Sequence, residues 1–185
     1  MAHFAELDKN NKVLRIVVVD NANVSSDMHT GAETWCANNI PEDPAIAYVD
    51  NAYPGVAWKQ TSYNHNFRKR FACIDGYFVD DGGNGYFTAI KPHDNWVLNV
   101  TDGAYYEPVD RPTVTTYTEG ADTFEYDIRW DQDNTRWICT KVHYDGSQYT
   151  RSPLGSDATD PQVVSNPSAD LTQVRVWDPD AKSWS

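Results

Sequence analysis

The sequence is poor in cations, methionine, long apolar runs and paired cysteines, and each shortage removes a class of protein. Lys and Arg number 15 against 27 Asp and Glu, giving a formal charge of −12 and a pI near 4.6. A nucleic-acid binder draws its affinity from cationic side chains that neutralise phosphates, so nucleic acid is not an expected partner. Docking on an anionic membrane surface is disfavoured for the same reason. No apolar run approaches the roughly 20 residues of a membrane helix, and the start Met1-Ala2-His3-Phe4-Ala5-Glu6 has no basic-then-apolar secretion signal. The three cysteines, Cys36, Cys73 and Cys139, are odd in number and far apart. They form neither a disulfide framework nor a metal-binding C-x-x-C, and read as buried free thiols.

Aromatic residues, turn formers and a recurring spacing are what the chain does have. Aromatics make up 13% of it, with seven Trp and eleven Tyr, and the mean hydropathy is −0.65. This balance fits strands joined by turns better than helices. Trp130-Asp131 to Trp137 and Trp177-Asp178 to Trp184 each set an acid after a bulky residue and a second bulky residue seven positions on. Leu7-Asp8 to Leu14, Val79-Asp80 to Tyr86 and Leu98-Asn99 to Tyr105 are looser copies. Turn formers between two residues that would face each other predict a β-hairpin for each copy. In Asp178-Pro179-Asp180, Pro presets φ at the second turn position and Asp suits the first.

The predicted fold is mainly β, linked antiparallel hairpins with one short helix. Val13–Val19 is so continuously apolar that a central strand covered on both faces is expected. Thr30 to Asn39 is the helix, with Thr30 as cap, Glu33 completing a capping box and Pro41 ending it. The Pro- and Asp-rich stretch from there to Gly55 reads as loop, as does Ser152 to Asp170. Tyr126, Ile128 and Trp130 alternate with Asp127 and Arg129 in a strand expected from Phe124 to Trp130, paired with Arg136 to Val142. Thr-rich Arg111 to Thr123 marks the expected boundary between a hairpin-rich part, 1–110, and a smaller β part, 111–185.

One segment stands apart. Between Asp50 and Asp75 there is no acid, yet Lys59, Arg68, Lys69 and Arg70 fall there. The block Trp58-Lys59-Gln60-Thr61-Ser62-Tyr63-Asn64, continued by Asn66-Phe67-Arg68-Lys69, resembles small structural proteins of tailed bacteriophages, those of marine phages and cyanophages above all. Met1 to Asp8 with Val17-Val18-Val19, and the hairpin Trp96 to Pro108, share the resemblance, which covers about residues 1 to 110. The family usually ends in a single Trp-bounded hairpin after that point, whereas Arg111 to Ser185 is longer and diverges.

The resemblance implies a non-enzymatic virion component made in the host cytoplasm, an accessory or decoration protein on the capsid, neck or tail surface, with no cofactor and no catalytic residues to carry over. Its partner would be a larger capsid, neck or tail protein, with room for self-association in the assembly. Trp58, Tyr63, Asn64, Asn66, Phe67, Arg68, Lys69 and Arg70 are the candidate partner-binding residues. Arg68 is the one suited to bidentate carboxylate contacts, and an alternating strand would put Arg68 and Arg70 on one face. The plainer reading is that these cations neutralise the chain's own acids.

An alternative is a fibre-tip or carbohydrate-binding module in which Trp130, Trp137, Trp177 and Trp184 stack on sugar rings. Cross-strand Trp pairs that hold hairpins together explain the same residues. Asp131-x-Asp133-x-Thr135 opens like a calcium loop, but Arg136 and Val142 stand where Gly and Glu are required, so turn chemistry accounts for the acids and no metal is expected. His93-Asp94 and His143-Tyr144-Asp145 are the only His–acid neighbours of note. No nucleophile, phosphate or metalloprotease motif accompanies them.

Overall fold

In the computed structural model, residues 1–24, 30–46, 57–155 and 161–185 are described. The protein is mainly β, with 39% strand and 8% helix. It divides into two compact units, Met1–Tyr106 and Glu107–Ser185.

In the first unit β1 (Ala2–Leu7) turns into β2 (Val13–Val19). Asp8 makes the turn, its Oδ1 accepting the N–H groups of Asn10 and Lys12, both at 2.8 Å, and Asn11 takes the left-handed φ of 64°. The register shifts at Glu6/Leu7, so Leu7 faces Val13 and not Leu14. A bulge of this kind places an extra residue on one strand, which is why this first copy of the hairpin pattern fails. The other four copies pair as the spacing predicts: Val79 with Tyr86, Leu98 with Tyr105, Trp130 with Trp137 and Trp177 with Trp184.

β3 (Ala57–Thr61) adds to the far side of β1, giving the order β2-β1-β3. The short mixed strand β1 is therefore central and the apolar β2 lies at the edge, with Val18 54% exposed. This reverses the expectation for Val13–Val19. The apolar run has another cause: both faces of the sheet are covered, and β2 feeds both. Val17 and Val19 join Phe4, Trp58, Ala32 and Cys36 in one core. Val13 and Ile16 join Ala5, Leu7, Ala72, Phe78 and Phe87 in the other. Glu6 in the central strand is wholly buried and is ion-paired to Arg15 of β2.

α1 (Thr30–Asn39) covers the first face with Ala32 and Cys36, one turn apart, and with Trp35. It ends as Ile40 N–H donates to the Cys36 carbonyl before Pro41. Thr30 lies inside the helix and is not its cap. Glu33 completes no capping box but reaches β3, where its Oε1 accepts Gln60 N–H at 2.9 Å. Of the loop expected up to Gly55, residues 47–55 lie outside the described residues.

Two small hairpins complete the unit: β4 (Phe78–Val79) with β5 (Tyr86–Phe87), and β6 (Val97–Asn99) with β7 (Ala104–Tyr106). In the first, Asp81 Oδ1 accepts N–H from Gly83 and Gly85, and Gly85 (φ 65°) lies against the Phe78 ring.

The second unit opens with the hairpin β8 (Thr116–Glu119) and β9 (Asp122–Glu125), then β10 (Asp127–Asp131) and β11 (Arg136–Thr140). β12 (His143–Tyr144), β13 (Tyr149–Arg151), β14 (Pro153–Leu154) and β15 (Gln162–Val164) follow. A single turn, α2 (Ala169–Thr172), leads to β16 (Arg175–Asp178) and β17 (Ser183–Trp184). The sheet orders are β14-β9-β8, β10-β11-β16-β17 and β12-β13-β15.

Three expectations change here. Arg111 to Thr123 is no plain linker, since it supplies β8 and the start of β9. The strand foreseen from Phe124 to Trp130 is two strands in different sheets, handing over at Tyr126, whose N–H bonds the Thr115 carbonyl. The loop foreseen from Ser152 to Asp170 contains β14 and β15, while its residues 156–160 lie outside the described residues.

Candidate functional site

The cation-bearing block does not form one surface. After β3 the chain leaves the sheet and runs as an irregular loop from Ser62 to Phe71, so no alternation sets Arg68 and Arg70 on a common face. His65, Arg68 and Lys69 adopt left-handed φ values of 56°, 57° and 60°. Such conformations cost free energy in non-glycine residues and persist only where surrounding contacts impose them. Those contacts are present. Ser62 carbonyl accepts His65 N–H and Ser62 Oγ accepts Asn66 N–H, each at 3.0 Å. His65 Nδ1 accepts Phe71 N–H at 3.2 Å, and Thr61 Oγ1 accepts Ala72 N–H at 2.8 Å.

Arg68 is the internal anchor. Its side chain is 6% exposed; Nη1 donates to Glu33 Oε1 and to the Gln60 carbonyl, both at 2.7 Å, and Nε donates to the Asn84 carbonyl at 2.9 Å. Lys59 lies 3.6 Å from the other Glu33 oxygen. Lys59 and Arg68 both stand 5.2 Å from the centre of the Phe78 ring. Trp58 is buried as well, with the Arg15 guanidinium over its ring. Burial thus removes Trp58 and Arg68 from any docking surface, and reversing Arg68 to Glu would strike the fold itself. For Lys59 and Arg68 the neutralising reading is the correct one.

The remaining residues of the block fall into two groups with different neighbours. In the first, Lys69 donates from Nζ to the Val100 carbonyl and stands 3.5 Å over the Tyr86 ring. Arg70 runs past Gly103, where its Cδ would lie 3.3 Å from an added Cβ. Both cations therefore border the β6–β7 hairpin, on which Val97, Val100 and Tyr106 are exposed. Val97 and Tyr106 are cross-strand partners. Asp102 accepts the Ala104 N–H and the Tyr106 O–H, which hold its carboxyl below the usual carboxylate range.

Elsewhere on the loop, Tyr63, Asn64, Asn66 and Phe67 line a cleft of about 430 Å³ with Met1, Ala2, His3, Gln60, Thr61 and Ser62. Tyr63 is 68% exposed and stacks on His3 with ring centres 5.9 Å apart. Phe71 meets both rings edge-on, at 5.5 Å and 5.6 Å. His3 and Phe71 complete this aromatic cluster but escape a reading by local spacing, because strand pairing of β1 with β3 brings His3 opposite Thr61.

The four tryptophans of the alternative reading pack in pairs. Trp130 with Trp137 and Trp177 with Trp184 meet edge to face at 5.1 Å and 5.2 Å. Trp137 and Trp177 are buried, and Nε1 of Trp137 and of Trp184 donates to the carbonyls of Val109 and Val114. Burial withdraws Trp137 and Trp177 from any sugar, while half-buried Trp130 and Trp184 pin the hairpins by pairing with them.

The acids of the repeats close turns: Asp131 Oδ1 accepts Asn134 N–H, and Asp178 Oδ1 accepts the N–H groups of Asp180 and Ala181. Cys36 and Cys139 are buried free thiols, each pushed up to about 12 by burial. Cys73, half-buried, is free as well. His93 and Asp94 lie in a loop and not on a strand. His143 Nδ1 lies 3.2 Å from Asp127 on exposed surface. Among the described residues no helix is long and apolar enough to cross a membrane. Compared with known proteins, the chain matches no family model, no curated sequence and no solved structure.

Proposed function

We propose that this chain is a non-enzymatic accessory protein of a tailed-phage virion, seated on a larger capsid, neck or tail protein. The observation that carries the reading is the exposed apolar patch of Val97, Val100 and Tyr106, bordered by Lys69 and Arg70. Apolar residues grouped in water mark interaction sites on soluble proteins. In a chain of charge −12, cations at the border of that patch suit an acidic partner surface, which they would steer and orient. The resemblance of residues 1 to 110 to phage structural proteins supplies the setting.

The loop that presents the cations is fixed from within by Arg68, so docking loses little conformational entropy. The test is incorporation into particles. Lys69→Glu combined with Val100→Asp changes exposed residues only, so the circular dichroism spectrum should be retained while the protein disappears from purified virions. Normal copy number for that variant would remove the proposal.

A further inference from the structure

The Tyr63 cleft shares no residue with the apolar patch and is chemically unlike it. No Asp, Glu, Lys or Arg side chain lines it, and Met1, with its amino group, is the one lining residue that brings a formal charge, in a chain where 23% of residues are charged. Its wall offers the exposed Tyr63 ring, backed by His3, together with the exposed carboxamides of Asn64 and Asn66. We infer that this cleft binds an uncharged saccharide, with a sugar ring laid on Tyr63 and its neighbouring hydroxyls held by Asn64 and Asn66.

The chemistry matches group by group. Each carboxamide presents donor and acceptor side by side, as a pair of adjacent hydroxyls requires. The apolar C–H face of a pyranose needs a flat apolar partner, and Tyr63 supplies one with a polar tip. The volume of about 430 Å³ falls in the roughly 300–1,000 Å³ range of small-molecule sites, enough for a short saccharide. Binding need not order the wall, because the bonds that Asn66 N–H donates to Ser62 Oγ and Phe71 N–H donates to His65 Nδ1 already fix it.

Other occupants fit less well. A nucleotide or an acidic glycan would meet no Lys or Arg in the cleft, only the single Met1 amino group, too little to offset several phosphates or carboxylates. A peptide adding as a further strand beside β3 would need the main-chain groups of Gln60. Glu33 Oε1 already takes its N–H and Arg68 Nη1 its carbonyl. The site is distinct from the paired tryptophans.

A glycan array carrying neutral and acidic glycans, probed with the full chain, tests the inference. The strongest neutral glycan is then titrated calorimetrically at low salt and at about 0.5 M NaCl. Binding to neutral glycans is expected, unaffected by salt. It should weaken about tenfold or more in Tyr63→Ala and in Asn64→Ala/Asn66→Ala, while Trp130→Ala binds normally. Retained melting temperatures separate these losses from unfolding. An array with no neutral ligand, preference for acidic glycans, or binding indifferent to Tyr63→Ala would overturn the inference. So would a peptide array that binds through Tyr63 while the glycans do not.

Discussion

Replacing Arg68 by Met keeps an unbranched stem of similar reach but removes the three hydrogen bonds that the guanidinium donates to Glu33, Gln60 and Asn84. Glu33, only 11% exposed, would lose its 2.7 Å partner and keep Gln60 N–H at 2.9 Å and Lys59 at 3.6 Å. Removing one member of a buried ion pair costs about 3–5 kcal/mol, because an uncompensated charge is left behind. The remaining contacts to Glu33 place the charge penalty at the low end. The carbonyls of Gln60 and Asn84, orphaned together, add to it, since an unsatisfied buried acceptor costs about 1–3 kcal/mol where water does not reach it. The expected loss is about 4 kcal/mol, a large part of the roughly 5–15 kcal/mol that a domain has in total. For a unit of this size it corresponds to a fall in melting temperature of about 16 °C or more.

Urea titration read by hydrogen exchange isolates the effect. Peptides from α1 and β3 should lose protection at lower urea, while the β10–β11 hairpin serves as internal reference. Pairing Arg68→Met with Glu33→Gln should cost less than the two single changes summed, by about 1 kcal/mol or more, as expected for residues in contact. If Arg68→Met shifts stability by less than about 1 kcal/mol, the pair is not the anchor argued above. The loop would then need another support.

Two further tests concern turns. Gly85→Ala sets a Cβ into the Phe78 ring at a φ of 65°, whereas Gly120→Ala, at 64°, meets nothing within 4 Å. The second should cost about 1–2 kcal/mol of backbone strain alone, and the first about 1–3 kcal/mol more from the clash, by urea denaturation of each. Asp145 accepts N–H from Gln148 and Ser147 together with the Ser147 O–H, which lower its carboxyl to about 2. A folded value below the unfolded one, ordinarily about 4, means stability that is present above pH 4 and lost as pH falls towards 2. Exchange of the Ser147 and Gln148 amides should accelerate over that window relative to intrinsic rates, and Asp145→Asn should abolish the pH dependence. Unchanged protection at pH 2 would refute it.

What was legible in the sequence was local. Turn chemistry and the seven-residue spacing located four hairpins, because two facing residues and the turn between them carry all the information needed. The bulge opposite Glu6 and Leu7, which leaves Leu14 of β2 without a partner in the register, was not legible, since spacing alone does not show where a ladder slips. The place of β2 at the edge was hidden for a related reason. An apolar run reports that both faces are covered but says nothing about which strands lie beside it. β14 and β15 were missed because strands of two and three residues carry too little periodicity to stand out among Pro and Ser.

The cationic block shows the same limit in the candidate site, and the sheet supplies the reason for it. A strand at the edge of a sheet leaves a row of unpaired N–H and C=O groups that invites another chain. At Gln60 of β3 both groups are taken, the N–H by Glu33 and the carbonyl by Arg68. At the start of β2, Val13 N–H bonds the Gly76 carbonyl and Val13 carbonyl accepts Asp75 N–H. A protein built from many short sheets has many such edges, and here an ion pair closes one of them. The pair needs an acid from α1, 35 residues before its arginine in the chain, so no local window of sequence reveals that Arg68 faces inward. Only Lys69 and Arg70 are left to the patch, and Tyr63, Asn64 and Asn66 to the cleft. The loop that closes an edge inside thus carries both the proposed docking residues, Lys69 and Arg70, and the proposed saccharide cleft at Tyr63, which share no residue, so changes in one are expected to leave the other working.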